Sequence, residues 1–221
     1  MKAVIFDLDG TMFDTQKIFA LAWDWAGEKL GFGKAGYMIE KTFGKSIAAS
    51  KDIWTAEFGK KFDEQELRRL TKAFLTEYYQ TRYAPVKKGL IPLLQYLRAQ
   101  HFKLAVATSS PRWEMEHHLH GEQLEELFDV LVCGDMVERS KPDPEIYLQA
   151  CELLGERSEN CYAVEDSKSG LFSAYRAGCR PIMVPDLWQP DDETERILHK
   201  KFNDLNEVRA YFEGSSRKED L

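Results

Sequence analysis

The first strand-like run of this chain ends in two acids, and that ending constrains the fold more than any other feature. Ala3, Val4, Ile5 and Phe6 form a continuous apolar run, the pattern of a strand covered on both faces of a parallel sheet. Asp7 and Asp9 follow, two positions apart. On an extended strand such residues point the same way, about 6.6 Å apart, so both carboxylates are expected to face one spot while Leu8 turns inward. Gly10 then supplies a tight turn whose backbone N–H groups can approach an anion. Open parallel sheets bind ligands at the carboxyl ends of their strands. Asp and Gly also end strands for no reason beyond turning the chain, so the rest of the sequence has to decide.

The next clear strand begins only near Lys103. A βα unit needs about 30 residues, which leaves about 65 as an insertion directly after the acidic strand end. Residues 15–82 read as helix and turn throughout. Asp14 and Thr15 can cap a helix with Ile18, Leu21, Ala22, Trp25 and Ala26 on one side. Asp63 and Glu66 resemble a capping box, and Leu67, Leu70, Phe74 and Tyr78 form one apolar stripe. Gly31, Gly33 and Gly36 match a dinucleotide-binding spacing, but they follow a helix where that motif needs a strand. Gly44-Lys45-Ser46 lacks the earlier glycine of a phosphate loop, since Ile39 stands there, and reads as a turn. Met38, Phe43, Trp54 and Phe58 read as core of this helical block. An aromatic such as Trp23, Tyr37 or Trp54 could instead stack on a sugar or base.

Tyr83-Ala84-Pro85-Val86 breaks the helical pattern, and strands then alternate with helices. Strands are expected at 103–107, 130–133, 161–164 and 181–184. Pro111 fits the first helical position after a Ser110 cap, and Asp143-Pro144 opens a helix that Gly155 ends. Residues 186–201 read as a charged irregular loop, 205–212 as a final helix, and 214–221 as a flexible polar tail. The alternation predicts an α/β fold with a doubly wound parallel sheet. Its discontinuous core spans 1–14 and 83–213, with an all-helical cap at 15–82.

A net charge of −7 argues against a nucleic-acid partner. No apolar run reaches the length of a membrane span, and the run at 3–6 is too short for a signal peptide. Cys133, Cys151, Cys161 and Cys179 lack a paired spacing; reduced, buried thiols in a cytoplasmic protein are expected. His117, His118 and His120 cluster after the second strand. No further ligand stands beside them in sequence, so a solvated helix face is the expectation.

Collected at strand ends, Asp7, Asp9, Thr108, Ser109, Glu165 and Asp166 join Lys141 from a loop. Two like charges about 4 Å apart repel by about 4 kcal/mol at an effective dielectric near 20, so four acids in one crevice imply a cation. All-oxygen donors favour Mg²⁺, and the hydroxyls and Lys141 could hold an anion beside it. That is the apparatus of phosphoryl transfer.

With Asp7-Leu8-Asp9-Gly10-Thr11, Thr108-Ser109, Lys141 before Pro142, and Glu165-Asp166 in order, the chain resembles the haloacid dehalogenase superfamily in its helical-cap subgroup. The resemblance spans about residues 1–213 and implies a Rossmann-like core. It implies that Asp7 is the nucleophile, forming an aspartyl-phosphate, and that Asp9 serves as general acid and then base. Leu8, Gly10, Thr108, Ser109 and Lys141 would bind the transferring phosphoryl group. Asp7, the Asp9 carbonyl and Asp166 would coordinate Mg²⁺, with Glu165 in support. Dehalogenases of the superfamily lack an acid at the place of Asp9, so the resemblance favours phosphoester chemistry. Sugar phosphomutases of the β-phosphoglucomutase type carry a His, an Arg and a Lys where this chain has Phe19, Ile47 and Phe74. Three apolar residues supply no second anion site, which favours a phosphatase of a sugar phosphate or nucleoside monophosphate over a mutase. A small phosphorylated metabolite is the expected partner, and a monomer the expected state.

Overall fold

The computed structural model describes residues 3–42, 47–59 and 62–219, without the side chains of 47–49 and 215–219. Among these residues the strands are β1 (Ala3–Phe6), β2 (Lys103–Ala107), β3 (Val130–Val132), β4 (Cys161–Glu165), β5 (Arg180–Met183) and β6 (Lys200–Lys201). The helices are α1 (Gln16–Lys29), α2 (Met38–Thr42), α3 (Ile47–Phe58), α4 (Glu64–Tyr78), α5 (Leu90–Ala99), α6 (Arg112–Gly121), α7 (Glu145–Leu154), α8 (Lys168–Arg176), α9 (Asp192–Glu195) and α10 (Leu205–Glu219). None of them is long and apolar enough to cross a membrane. The chain divides into two compact units, residues 1–13 with 86–221, and residues 14–85.

The first unit is built on one parallel sheet in the order β3-β2-β1-β4-β5-β6, so the predicted doubly wound α/β fold is the one observed. Register decides what the sheet can present. Phe6 lies opposite Val106 on one side and Val164 on the other, so β1, β2 and β4 finish nearly level. Asp7, Thr108 and Glu165 therefore emerge at one edge, beside the point where the strand order reverses.

Helix α7 shows how the sheet is covered. Asp143 Oδ1 accepts from the Glu145 amide at 3.1 Å near its start, and Gly155, at φ 65°, ends it in the left-handed conformation that glycine adopts without strain. Ile146, Tyr147, Ala150, Cys151 and Leu154 form its buried stripe. That stripe packs on Ala3, Ala105, Ala107 and Ala163, whose small side chains admit a bulky helix face. Burying Ile146 and Leu154 contributes about 1.5–3 kcal/mol each. The four cysteines are free and buried, with the Cys151 and Cys179 sulfurs 3.7 Å apart.

Three local expectations need correction. Within the expected loop at 186–201, Lys200–Lys201 pairs with Ile182 and Met183 as a short edge strand, and α9 precedes it. A two-residue lysine strand carries no apolar alternation to read, and exposed lysine is a common way to blunt a sheet edge. Helix α10 continues through the expected tail to Glu219; one glycine at 214 costs only about 1 kcal/mol relative to Ala. Ser110 does not cap α6. The helix starts after Pro111, and the Arg112 amide donates to Asp135 Oδ2 at 2.7 Å.

The second unit is all helical. Asp63 Oδ1 accepts from the amides of Gln65 (2.9 Å) and Glu66 (3.2 Å), capping α4 as expected. Thr15 stands at the start of α1 but makes no capping bond with its side chain. The core gathers Ala26, Ala35, Met38, Trp54, Leu67 and Leu70, with Trp23 and Phe58 packed against it. Trp54 stacks on Phe62 with ring centres 5.3 Å apart and meets Trp23 edge-on at 5.1 Å, so Met38, Trp54 and Phe58 serve the core of this unit. Phe43, Gly44, Lys45, Ser46 and the Ile47 side chain lie outside the described residues.

The two chain crossings between units run side by side. Phe13 and Val86 form an antiparallel bridge, and the Asp14 amide donates to the Pro85 carbonyl at 2.7 Å.

Candidate active site

Lys141, from the loop between β3 and α7, ties the strand ends together. Its ammonium donates to Asp7 Oδ1 at 2.6 Å, to Glu165 Oε1 at 2.7 Å and to the Ala107 carbonyl at 2.9 Å. All three N–H donors are thus engaged, and the side chain is only 5% exposed. Burial alone would favour the neutral amine, but the charges of Asp7 and Glu165 hold its pKa well above the usual lysine range.

Glu165 is fully buried and satisfied at both oxygens. Besides Lys141, Oε1 accepts from the Tyr147 hydroxyl at 2.9 Å. Oε2 accepts from the Asp166 amide (3.1 Å), the Ser167 amide (3.2 Å) and the Ser167 hydroxyl (3.0 Å). Gly170, on the first turn of α8, leaves the carboxylate its space, since a Cβ there would stand 1.7 Å from Glu165 Oε1. Gly170→Ala is therefore expected to destabilise the protein by about 1–3 kcal/mol despite Ala's better helix propensity. A urea midpoint equal to or above the parent's would contradict this.

Asp166 is 1% exposed. One oxygen accepts from the Thr11 hydroxyl at 3.4 Å, while Oδ2 has no partner. Asp7, Glu165 and Asp166 each bring one oxygen within 4.8 Å of the others, and the Lys141 ammonium pairs with only Asp7 and Glu165 of the three. Burial, then the Glu165 charge, pushes Asp7 up to about 8 against the pull of Lys141. Burial, then Asp7 and Glu165, raises Asp166 well above the carboxylate range. An orphaned buried oxygen and a surplus of negative charge, all on oxygen donors, fit a hard divalent cation such as Mg²⁺. Asp7 and Asp166 have the capacity to hold it. Glu165, saturated by hydrogen bonds, positions its neighbours.

Asp9 hydrogen-bonds a different set of partners, while its charge still acts on Asp7. The strand proper ends at Phe6, so i, i+2 geometry does not extend to Asp9. Its Oδ2 accepts from the Ser110 hydroxyl at 2.6 Å and, at 3.5 Å, from the Thr108 hydroxyl. Thr108 is buried, and Ser109 is exposed at the end of β2. Gly10 takes φ 81°, and its amide donates to the Phe13 carbonyl at 2.8 Å, so that donor serves the turn rather than an anion. Leu8 is fully buried, as expected.

The histidines also need correction. His118 is fully buried, with its ring 5.3 Å from Phe13 in a stacked arrangement. Glu114, one helical turn earlier, is 5% exposed, and Asp9, Glu114 and His118 bring one ligand atom each within 4.8 Å of one another. His120 alone of the three is exposed. Burial, against the charge of Asp9, lowers His118 to about 4, keeping it neutral. Burial, then Asp9, pushes Glu114 up from 4.5 to about 8. The folded chain therefore holds this proton more tightly than the unfolded one, and that contribution to stability is lost as pH rises from 4.5 through about 8. Glu114→Gln lacks this dependence. In metal-free buffer it should gain stability relative to the parent between pH 5 and pH 8, and a constant difference in urea midpoint would refute the expectation.

The model of the haloacid dehalogenase-like hydrolases matches residues 4–184. The chain belongs to this family. The phosphorylated carbohydrates phosphatase of Thermotoga maritima is 33% identical over 190 residues, covering 82% of this chain and 84% of the relative. Hexitol phosphatase A of Escherichia coli is 30% identical over 202 residues, covering 90% of each. Among solved structures, CbbY from Rhodobacter sphaeroides in complex with phosphate superposes with a TM-score of 0.74 at 24% identity, over 94% of this chain and 96% of that one. The β-phosphoglucomutase of Clostridium difficile gives 0.75 at 21%, over 99% and 98%. These two likenesses bear on the fold of this family member alone.

Sequence reasoning missed Ser110, Thr11, Tyr147, Glu114 and His118. Ser110 and Thr11 sat beside named residues, so a hydroxyl next to a strand end was a usable signal. Tyr147 and Glu114 carried none, because each falls on a helix whose rotation the sequence leaves open.

Proposed function

We propose that this chain, an enzyme of the phosphoric monoester hydrolase class, removes phosphate from a small sugar phosphate or nucleoside monophosphate in the cytoplasm. The observation that carries the reading is the pair of differently held acids at one sheet edge. Asp7 is buried against Lys141, and Asp9 accepts instead from the Ser110 hydroxyl.

Asp7 attacks phosphorus through a carboxylate oxygen, forming an aspartyl-phosphate, while the bond from phosphorus to the alcohol oxygen breaks. Asp9 delivers a proton to that oxygen. In the second step Asp9 takes a proton from water, the water oxygen attacks phosphorus, and the acyl-phosphate linkage breaks to return Asp7 and release inorganic phosphate. One group cannot be nucleophile and proton donor at once, which is why two acids with different partners are required. Lys141 orients Asp7 and, with Thr108 and Ser109, faces the transferring group. Asp7, Asp166 and the Asp9 carbonyl would hold Mg²⁺, which supplies positive charge against the phosphate oxygens.

Hydrolysis is preferred to mutase chemistry because, by the resemblance, Phe19, Ile47 and Phe74 replace the His, Arg and Lys that sugar phosphomutases carry. Phe74 packs against Trp25 and Tyr78, with ring centres 5.9 Å from each. A screen for phosphate release over sugar phosphates and nucleoside monophosphates, with and without Mg²⁺, tests the proposal. Release only with Mg²⁺ supports it. Conversion of a sugar phosphate to its isomer in the presence of a trace of sugar bisphosphate, without free phosphate, would replace it with the mutase.

A further inference from the structure

We propose that Asp9, Glu114 and His118 form a second divalent-cation site, one that selects a nitrogen- and oxygen-binding ion such as Zn²⁺ over Mg²⁺. Glu114 and His118 stand four residues apart on α6, so one helix face presents both. Asp9 comes from the turn after β1, and the three ligand atoms lie within 4.8 Å of one another. Stacking on Phe13 fixes the imidazole plane, as ligand rings need to be fixed.

Two orphaned oxygens mark the cluster as more than a chance meeting of side chains. Glu114 Oε1 is shielded from solvent with no hydrogen-bond partner, and so is Asp9 Oδ1. A buried carboxylate oxygen left unpaired is costly, and a cation satisfies both at once. One imidazole with two carboxylates is a donor set for zinc and its first-row neighbours, whereas Mg²⁺ prefers oxygen alone. The cluster of Asp7, Glu165 and Asp166 holds no nitrogen ligand, so the two sites differ in the ion they favour.

One consequence rests on the proposed phosphatase reading. An ion on the Asp9 carboxylate occupies the group that carries the proton, so Zn²⁺ here would arrest the enzyme even with Mg²⁺ in excess.

The test uses the full chain, freed of metal and supplied with excess Mg²⁺. Zn²⁺ is added while the ring nitrogens of every histidine are followed by ¹⁵N NMR and the affinity is measured by calorimetry. One equivalent should move the His118 ring resonance and leave His120 in place. Glu114→Gln, which keeps the side-chain shape, should lower Zn²⁺ affinity at least about tenfold. A His118 resonance unmoved at ten equivalents overturns the site, and so does Glu114→Gln binding as the parent does. The parent chain decides the matter by itself should the variant not fold. Phosphate release measured in the same samples with Mg²⁺, before any Zn²⁺ is added, separates the two readings. A chain that cleaves no ester before the addition and then binds Zn²⁺ at His118 leaves the site standing and removes the phosphatase.

Discussion

Asp7→Asn should reduce phosphate release by at least about 10⁴-fold while leaving the fold intact. The size follows from the role, since loss of an attacking atom removes the covalent route and leaves only binding and charge stabilisation. The intact fold follows from the contacts. An asparagine placed with its carbonyl at Oδ1 still accepts from Lys141, whose other acceptors, Glu165 and the Ala107 carbonyl, are untouched. The substitution also removes a buried carboxylate whose ionised form burial disfavours. The thermal midpoint should therefore stay near the parent's while activity disappears, and acid-quenched samples with labelled substrate should show label on the parent chain only. Turnover at the parent's rate would eliminate Asp7 as nucleophile.

Lys141→Met should act on stability as much as on rate. It strips the ammonium from between two acids whose side chains are 10% and 0% exposed. Removing one member of a buried ion pair costs about 3–5 kcal/mol, because the remaining charge has lost both water and partner. For a domain of this size that lowers the melting temperature by about 10 °C. The loss should be smaller at pH 5 than at pH 8, since burial pushes Asp7 up to about 8 and its protonation relieves the uncompensated charge. Calorimetric scans at the two pH values check both parts. A drop of only a degree or two at pH 8 would show that Lys141 carries little of the charge balance assigned to it.

How much of this was legible in the sequence follows from what each feature depends on. The strands at Ala3–Phe6, Lys103–Ala107 and Cys161–Glu165 were readable because full burial writes itself as an unbroken apolar run ending in polar residues. The acids and Lys141 were readable because their types and order pointed to one chemistry. The edge strand at Lys200–Lys201 was not, since two exposed lysines record only the absence of a neighbour. His118 was misjudged for a related reason. Its neighbours His117 and His120 look alike in sequence, yet the rotation of α6 buries one and exposes another. That Asp7 and Asp9 take different hydrogen-bond partners depends on where β1 stops pairing, which is a property of the assembled sheet.

The paired chain crossing at Phe13 and Val86 has a consequence for how such molecules can be rebuilt. Two chain segments that leave a scaffold side by side, joined by one antiparallel bridge and a hydrogen bond, resemble the base of a hairpin stem, and a stem accepts a loop of almost any length at its tip. Everything from Asp14 to Pro85 is topologically that loop. A two-residue turn such as Asn-Gly could close the stem in its place, and a foreign helical module could be spliced in without rethreading a single strand.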